Sequence, residues 1–169
     1  MSRGFVKESD FEEAPVIPQR AVLPEGATNY VTQTGLDALL AERAALEAER
    51  LRLAREEGDE ARRALVVVEG KLRLLQGRIA SARVLDATGV DTTEVRFGAT
   101  VRFQILDGPL RGKTRTLTIV GVDEANVRAR KIAFASPLAA ALTGRRVGDT
   151  AVLHLADRKQ RMVIKRIDY

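Results

Sequence analysis

Two stretches of this chain repeat apolar residues on a seven-residue beat, and a polar segment, REEGDEARR from Arg55 to Arg63, stands between them. In the first, Leu39, Leu46 and Leu53 recur every seven residues, with Leu36 extending the stripe. In the second, Leu65, Val68, Leu72, Leu75, Ile79 and Ala82 are spaced 3, 4, 3, 4 and 3 apart. This is the period of a helix that buries one narrow seam. Both stretches are rich in Ala, Leu, Glu and Arg and free of proline, so local propensity agrees with the pattern. Two helices of similar length joined by a short polar turn fold back antiparallel, seam to seam. Thr32 or Thr34 serves as the first N-cap. Arg43 and Arg50 interrupt one seam. Gly70 and Gly77 weaken the other helix by about 1 kcal/mol each relative to Ala.

The rest of the chain lacks this beat. Residues 1–29 hold three of the five prolines, Pro15, Pro18 and Pro24, with little periodicity, and read as an extended or disordered arm. After DATGVDTTE, the runs VRFGATVRFQIL, KTRTLTIVGV, NVRARKIAF, DTAVLHLA and RMVIKRIDY alternate apolar with polar or basic residues over strand lengths. SPLAAALTG carries Pro137 just inside a helix start and Gly144 just past its end. The expected fold is α+β: an arm over 1–29, an antiparallel coiled-coil hairpin over 30–86, a linker over 87–94, and a small antiparallel sheet domain with one short helix over 95–169.

Charge and composition limit the function. The net charge of +5 is uneven: residues 95–169 carry 15 basic against 6 acidic residues, while 34–86 carry 10 of each. Attraction to polyanions or to an acidic protein face therefore belongs to the C-terminal part. Arg111, Lys113, Arg115, Arg128, Arg130 and Lys131 cluster there, so nucleic-acid contact by a basic scaffold is one reading. Aromatics at 4% argue against base stacking on single strands. There is no Cys and a single His, His154, in the apolar run AVLHLA, where it reads as a tolerated strand residue. Neither a nucleophile–base pair nor a phosphate-cradling loop is visible, so no free-standing enzyme is indicated. The N-terminal run offers no signal-peptide core and no stretch reaches a membrane span, which points to a cytoplasmic protein.

Several segments, in order, resemble the bacterial Gre family of transcription elongation factors. They are YVTQTGLDAL, AREEGD, SARVLD, VRFGATVRF, TLTIVGVDEA, IAFASPLAAALTGRRVGDTA and the closing Tyr169. The resemblance spans residues 30–169 and leaves out 1–29. It implies a monomer whose coiled coil enters the secondary channel of RNA polymerase. An FKBP-like basic domain would hold the channel rim through the loop before the short helix, here Ala135, Ser136 and Pro137. An isomerase role is not implied, because Phe97, Phe103 and Phe134 are too few to line a proline pocket.

In cleavage-stimulating members the tip carries an Asp and a Glu in GDxxE, which help hold a second Mg²⁺ of the polymerase active centre. Such a chain has no cofactor of its own. Gly58 and Asp59 match that pattern, but Arg62 stands where the Glu is expected. Glu57 and Glu60 are the acidic residues nearby. Each arm is also about one heptad short of the family pattern, roughly 10 Å of reach at 1.5 Å per residue. The resemblance thus implies a factor that modulates elongation, pausing or cleavage without strong cleavage stimulation. The alternative is an active cleavage factor using Asp59 with Glu57 or Glu60.

Overall fold

The computed structural model describes residues 14–86 and 91–169. After an irregular segment come β1 (Tyr30–Val31), α1 (Gln33–Leu53), α2 (Asp59–Ser81) and β2 (Arg83–Val84). The second unit holds β3 (Thr100–Ile105), β4 (Thr114–Val120), β5 (Lys131–Ala133), α3 (Pro137–Leu142), β6 (Thr150–His154) and β7 (Lys159–Asp168).

The two long helices pack along the heptad residues. Leu39, Leu46, Leu53, Val68, Leu72 and Leu75 are buried, joined at the base by Val31. Leu36, Leu65, Ile79 and Ala82 are half-buried against them. Each fully covered Leu or Val contributes about 1.5–3 kcal/mol by leaving water, so this seam holds the hairpin. Arg43, the interruption in the first seam, turns aside to lie 3.8 Å from Glu47. Thr32 is the N-cap of α1, its Oγ1 accepting the Gly35 amide at 2.9 Å.

Helix α2 is displaced from the sequence expectation at both ends. It begins at Asp59, six residues before the first seam leucine, because Gly58 at φ +110° turns the chain and puts Asp59 and Glu60 in the first turn. Acidic residues there suit the positive end of the helix dipole. It stops at Ser81, and Arg83–Val84 pairs in parallel with Tyr30–Val31, so the hairpin is closed at its base by two short strands. Asn29, 2% exposed, donates from Nδ2 to the Arg78 carbonyl at 2.9 Å and to Ser81 Oγ at 3.1 Å, which fastens the end of α2.

The five-stranded sheet runs in the order β5-β4-β3-β7-β6. It is antiparallel from β4 to β6, but β5 lies parallel to β4, so the sheet is mixed and not wholly antiparallel as expected. The expected strand NVRARKIAF shrinks to Lys131–Ala133. Asn126 Oδ1 accepts the amides of Arg128 and Ala129, and Arg130 adopts φ +57°, so the first half is a tight turn. Along β3, Val101, Phe103 and Ile105 face the core while Arg102 faces out. The register of β3 on β7 shifts between Arg102 and Phe103, which leaves Lys165 as the extra residue of a bulge. Ala139 and Leu142 of α3 close the core against Met162 and Ile164. His154 ends β6 and is exposed.

The last residue ties the sheet to the residues that precede it. Tyr169 Oη donates to the Glu94 carbonyl at 2.6 Å and accepts the Arg96 amide at 2.9 Å. Burial, as the largest cause, holds its phenol above the ordinary value of 10.0. A raised phenol pKa gives stability that is complete below pH 10 and falls as pH rises through the folded value. Tyr169→Phe is expected to cost about 1–2 kcal/mol near neutral pH for two lost hydrogen bonds. Denaturant melts from pH 8 to 11 should also show a flatter alkaline limb than the parent.

Candidate functional site

Three places carry chemistry: the far end of the hairpin, the edge of the sheet domain around α3, and the junction between the two units.

At the far end, α1 closes with Ala54, whose amide reaches the Arg50 carbonyl at 3.0 Å, and residues 54–58 form the turn. Glu57, Asp59 and Glu60 are all exposed there. Asp59 Oδ1 lies 2.5 Å from Arg62 Nη2, one helical turn on. The position where a second carboxylate is expected thus supplies a cation that occupies the first. Among the described residues no three His, Asp or Glu side chains converge as metal ligands. A divalent ion needs several oxygen donors, and the described residues of the tip do not by themselves bring such a set together.

On the sheet domain, Ala135 and Pro137 are exposed. Ser136 caps α3, its Oγ accepting the Ala139 amide at 3.2 Å while its own amide donates to the Ala133 carbonyl at 2.9 Å. The Ser-Pro pair thus has a structural duty, and it pins this loop in one shape. Beside it lies a cleft of about 660 Å³ floored by Phe103, Ile105, Leu117 and Met162 and rimmed by Arg102, Arg115, Arg128 and Arg130. Of the basic residues singled out from the sequence, Arg115, Arg128 and Arg130 meet here. Lys131 does not join them: its Nζ pairs with Glu124 at 2.8 Å.

The junction was not anticipated as a site. The segment Gly121–Glu124 of the sheet domain meets the hairpin base, and a Cβ on Gly121 would stand 2.8 Å from the Tyr30 carbonyl oxygen. Glu124 accepts a hydrogen bond from Thr32 Oγ1 at 2.5 Å. Asp123, its side chain 8% exposed, has Arg78 Nε at 3.0 Å and Arg20 at 2.9 Å. Arg20 also reaches Glu42 with both terminal nitrogens, at 2.8 and 3.0 Å. Its guanidinium pKa is raised first by the Glu42 hydrogen bond, against desolvation, with Asp123 adding to the rise. Tyr30, Phe97 and Phe134 cluster around the same point with centroids 5.9–6.0 Å apart, Phe134 edge to face with both and Tyr30 tilted against Phe97. Of the three aromatics judged too few for a proline pocket, Phe97 and Phe134 serve the junction and Phe103 lines the cleft. The charged partners lie up to 103 residues apart in the chain and follow no period. The only sequence signal was the motif TLTIVGVDEA.

The family model for the C-terminal part of GreA/GreB transcription elongation factors matches residues 90–169. Transcription elongation factor GreA of Chloroflexus aggregans is 34% identical over 128 residues, covering 71% of this chain and 80% of that protein. GreA of Hyphomonas neptunium is 40% identical over 84 residues, 50% of this chain and 52% of its own length. The crystal structure of Gfh1, GreA factor homolog 1, from Thermus thermophilus is 25% identical and aligns over 85% of this chain and all of that one, with a TM-score of 0.37. The match over the sheet domain and the long alignment to a GreA place this chain in the GreA/GreB family of transcription elongation factors.

Proposed function

We propose that this chain binds RNA polymerase during elongation and modulates it from the secondary channel without delivering a metal-binding tip. The sheet domain docks through the pinned loop at Ala135, Ser136 and Pro137, with the arginine-rimmed cleft beside it meeting an acidic protein face. The hairpin enters the channel as a plug of fixed reach. On this reading the protein is a monomeric cytoplasmic accessory factor. It catalyses no reaction of its own, and the Mg²⁺ of the process belongs to the polymerase.

The observation that carries this reading is the Asp59–Arg62 pair at 2.5 Å on the exposed tip. A carboxylate held by a guanidinium one turn away is a poor ligand for a weakly bound cation, and the like charge of Arg62 repels the ion. The test is transcript cleavage in backtracked polymerase complexes with and without the protein. Rates are expected to stay within about threefold of each other, since no interaction made only in the transition state is added. Strong stimulation that vanishes in Asp59→Ala would overturn the reading in favour of the acidic-tip mechanism with Glu57 or Glu60. Binding is tested separately by co-purification with core polymerase. Pro137→Arg is expected to weaken it at least about tenfold, the loss typical of a disrupted contact at the centre of an interface.

A further inference from the structure

We propose that residues 14–29 are an intramolecular strap that locks the helical hairpin to the sheet domain in one orientation. This segment lies outside the part of the chain that resembles the Gre family, yet it makes contact with α1, α2 and the sheet domain. Ile17 seats on Gly70, in the middle of α2. A Cβ at Gly70 would fall 2.3, 2.7 and 3.0 Å from three carbons of Ile17, so the isoleucine fills the space a side chain would need. That explains a glycine inside a helix whose propensity it lowers. Gly77, one heptad later, has nothing within 4 Å. Three residues after Ile17, Arg20 spans Glu42 on α1 and Asp123 on the sheet domain. Arg78 on α2 then joins Asp123 to the strap, its guanidinium reaching both Asp123 and the Ala21 carbonyl.

The strap, both helices and the sheet domain thus share one ionic cluster, and Arg20 and Arg78 keep only 18% and 12% of their side chains exposed. A tether that merely leads into β1 would not place a guanidinium between carboxylates of two structural units. Pro15 and Pro18 flank Ile17 and fix the backbone on either side, which lowers the entropy lost on docking.

The proposal is read on the free protein and stands apart from any binding to polymerase. The chain has no cysteine, so Glu49→Cys at an exposed position of α1 and His154→Cys at the exposed end of β6 give a single pair of spin labels. Pulsed electron-spin distance measurement is expected to give one narrow population for the otherwise unmodified chain. Ile17→Ser with Arg20→Gln should broaden it roughly twofold or more as other orientations become populated. Arg20→Gln alone, which touches neither helix seam, carries the test should Ile17→Ser unsettle the fold. Gly70→Ala evicts Ile17 while favouring the helix, and should broaden the distribution too. Gly77→Ala favours the helix equally with nothing to displace, and should leave the distribution narrow. A broad distribution in the unmodified chain, an unchanged one in the strap variants, or equal broadening in Gly70→Ala and Gly77→Ala would overturn the proposal.

Discussion

Leu75→Ala should lower the unfolding free energy of the hairpin by about 3–4 kcal/mol, near the middle of the range for Leu→Ala in packed cores. Leu75 is 0% exposed and sits among Leu39, Leu46 and Leu72 in a seam only one helix wide on each side. Truncation there removes the contacts of a whole side chain, and two helices held by loops at both ends can close only part of the void. Urea unfolding followed by far-UV dichroism measures it. The helices contribute most of that signal, so a loss under about 1 kcal/mol would mean the seam is not the core that holds them. Leu51→Ala, exposed on the outer face, should change stability by less than about 0.5 kcal/mol and serves as the control.

Asp123→Ala is the second substitution expected to act strongly, at about 3 kcal/mol. It strips a nearly buried carboxylate from between two guanidiniums, and removing one partner of a buried pair costs about 3–5 kcal/mol. The lower end applies because Arg20 retains Glu42 and Arg78 retains the Ala21 carbonyl. Paired with Arg78→Ala in a double-mutant cycle, it should show coupling of about 0.5–3 kcal/mol, as neighbours in one network do. Additivity within experimental error would mean that the contact between the two side chains contributes nothing.

The elements that hold the hairpin were legible because their signal repeats. Leu39, Leu46 and Leu53 keep one period through about four turns, Val68, Leu72 and Leu75 continue it through about two, and all six are buried. What failed was punctuation. The start of α2 depends on the backbone of Gly58, not on an apolar residue, and β1 and β2 are two residues each, too short to alternate. The parallel placement of β5 is fixed by a crossover that no local pattern encodes. At the tip, the Arg62 substitution was readable residue by residue, but its grip on Asp59 required the helix to begin early enough to bring positions 59 and 62 onto one face. The ionic cluster at the junction was invisible for a different reason. Its charges come from four separate segments, and a lone Arg or Asp in sequence has no address.

The closed base of the two long helices has a mechanical consequence. A beam fixed at one end and unsupported at the other bends under a sideways load by an amount that grows with the cube of its free length. With α1 spanning 21 residues, about 32 Å at 1.5 Å per residue, each heptad more or less changes the compliance of the far end more than its reach. Short arms anchored by Asn29, the paired strands and the aromatic trio make a stiff cantilever, so thermal wobble at residues 54–58 is set by the firmness of the mounting as much as by the rod.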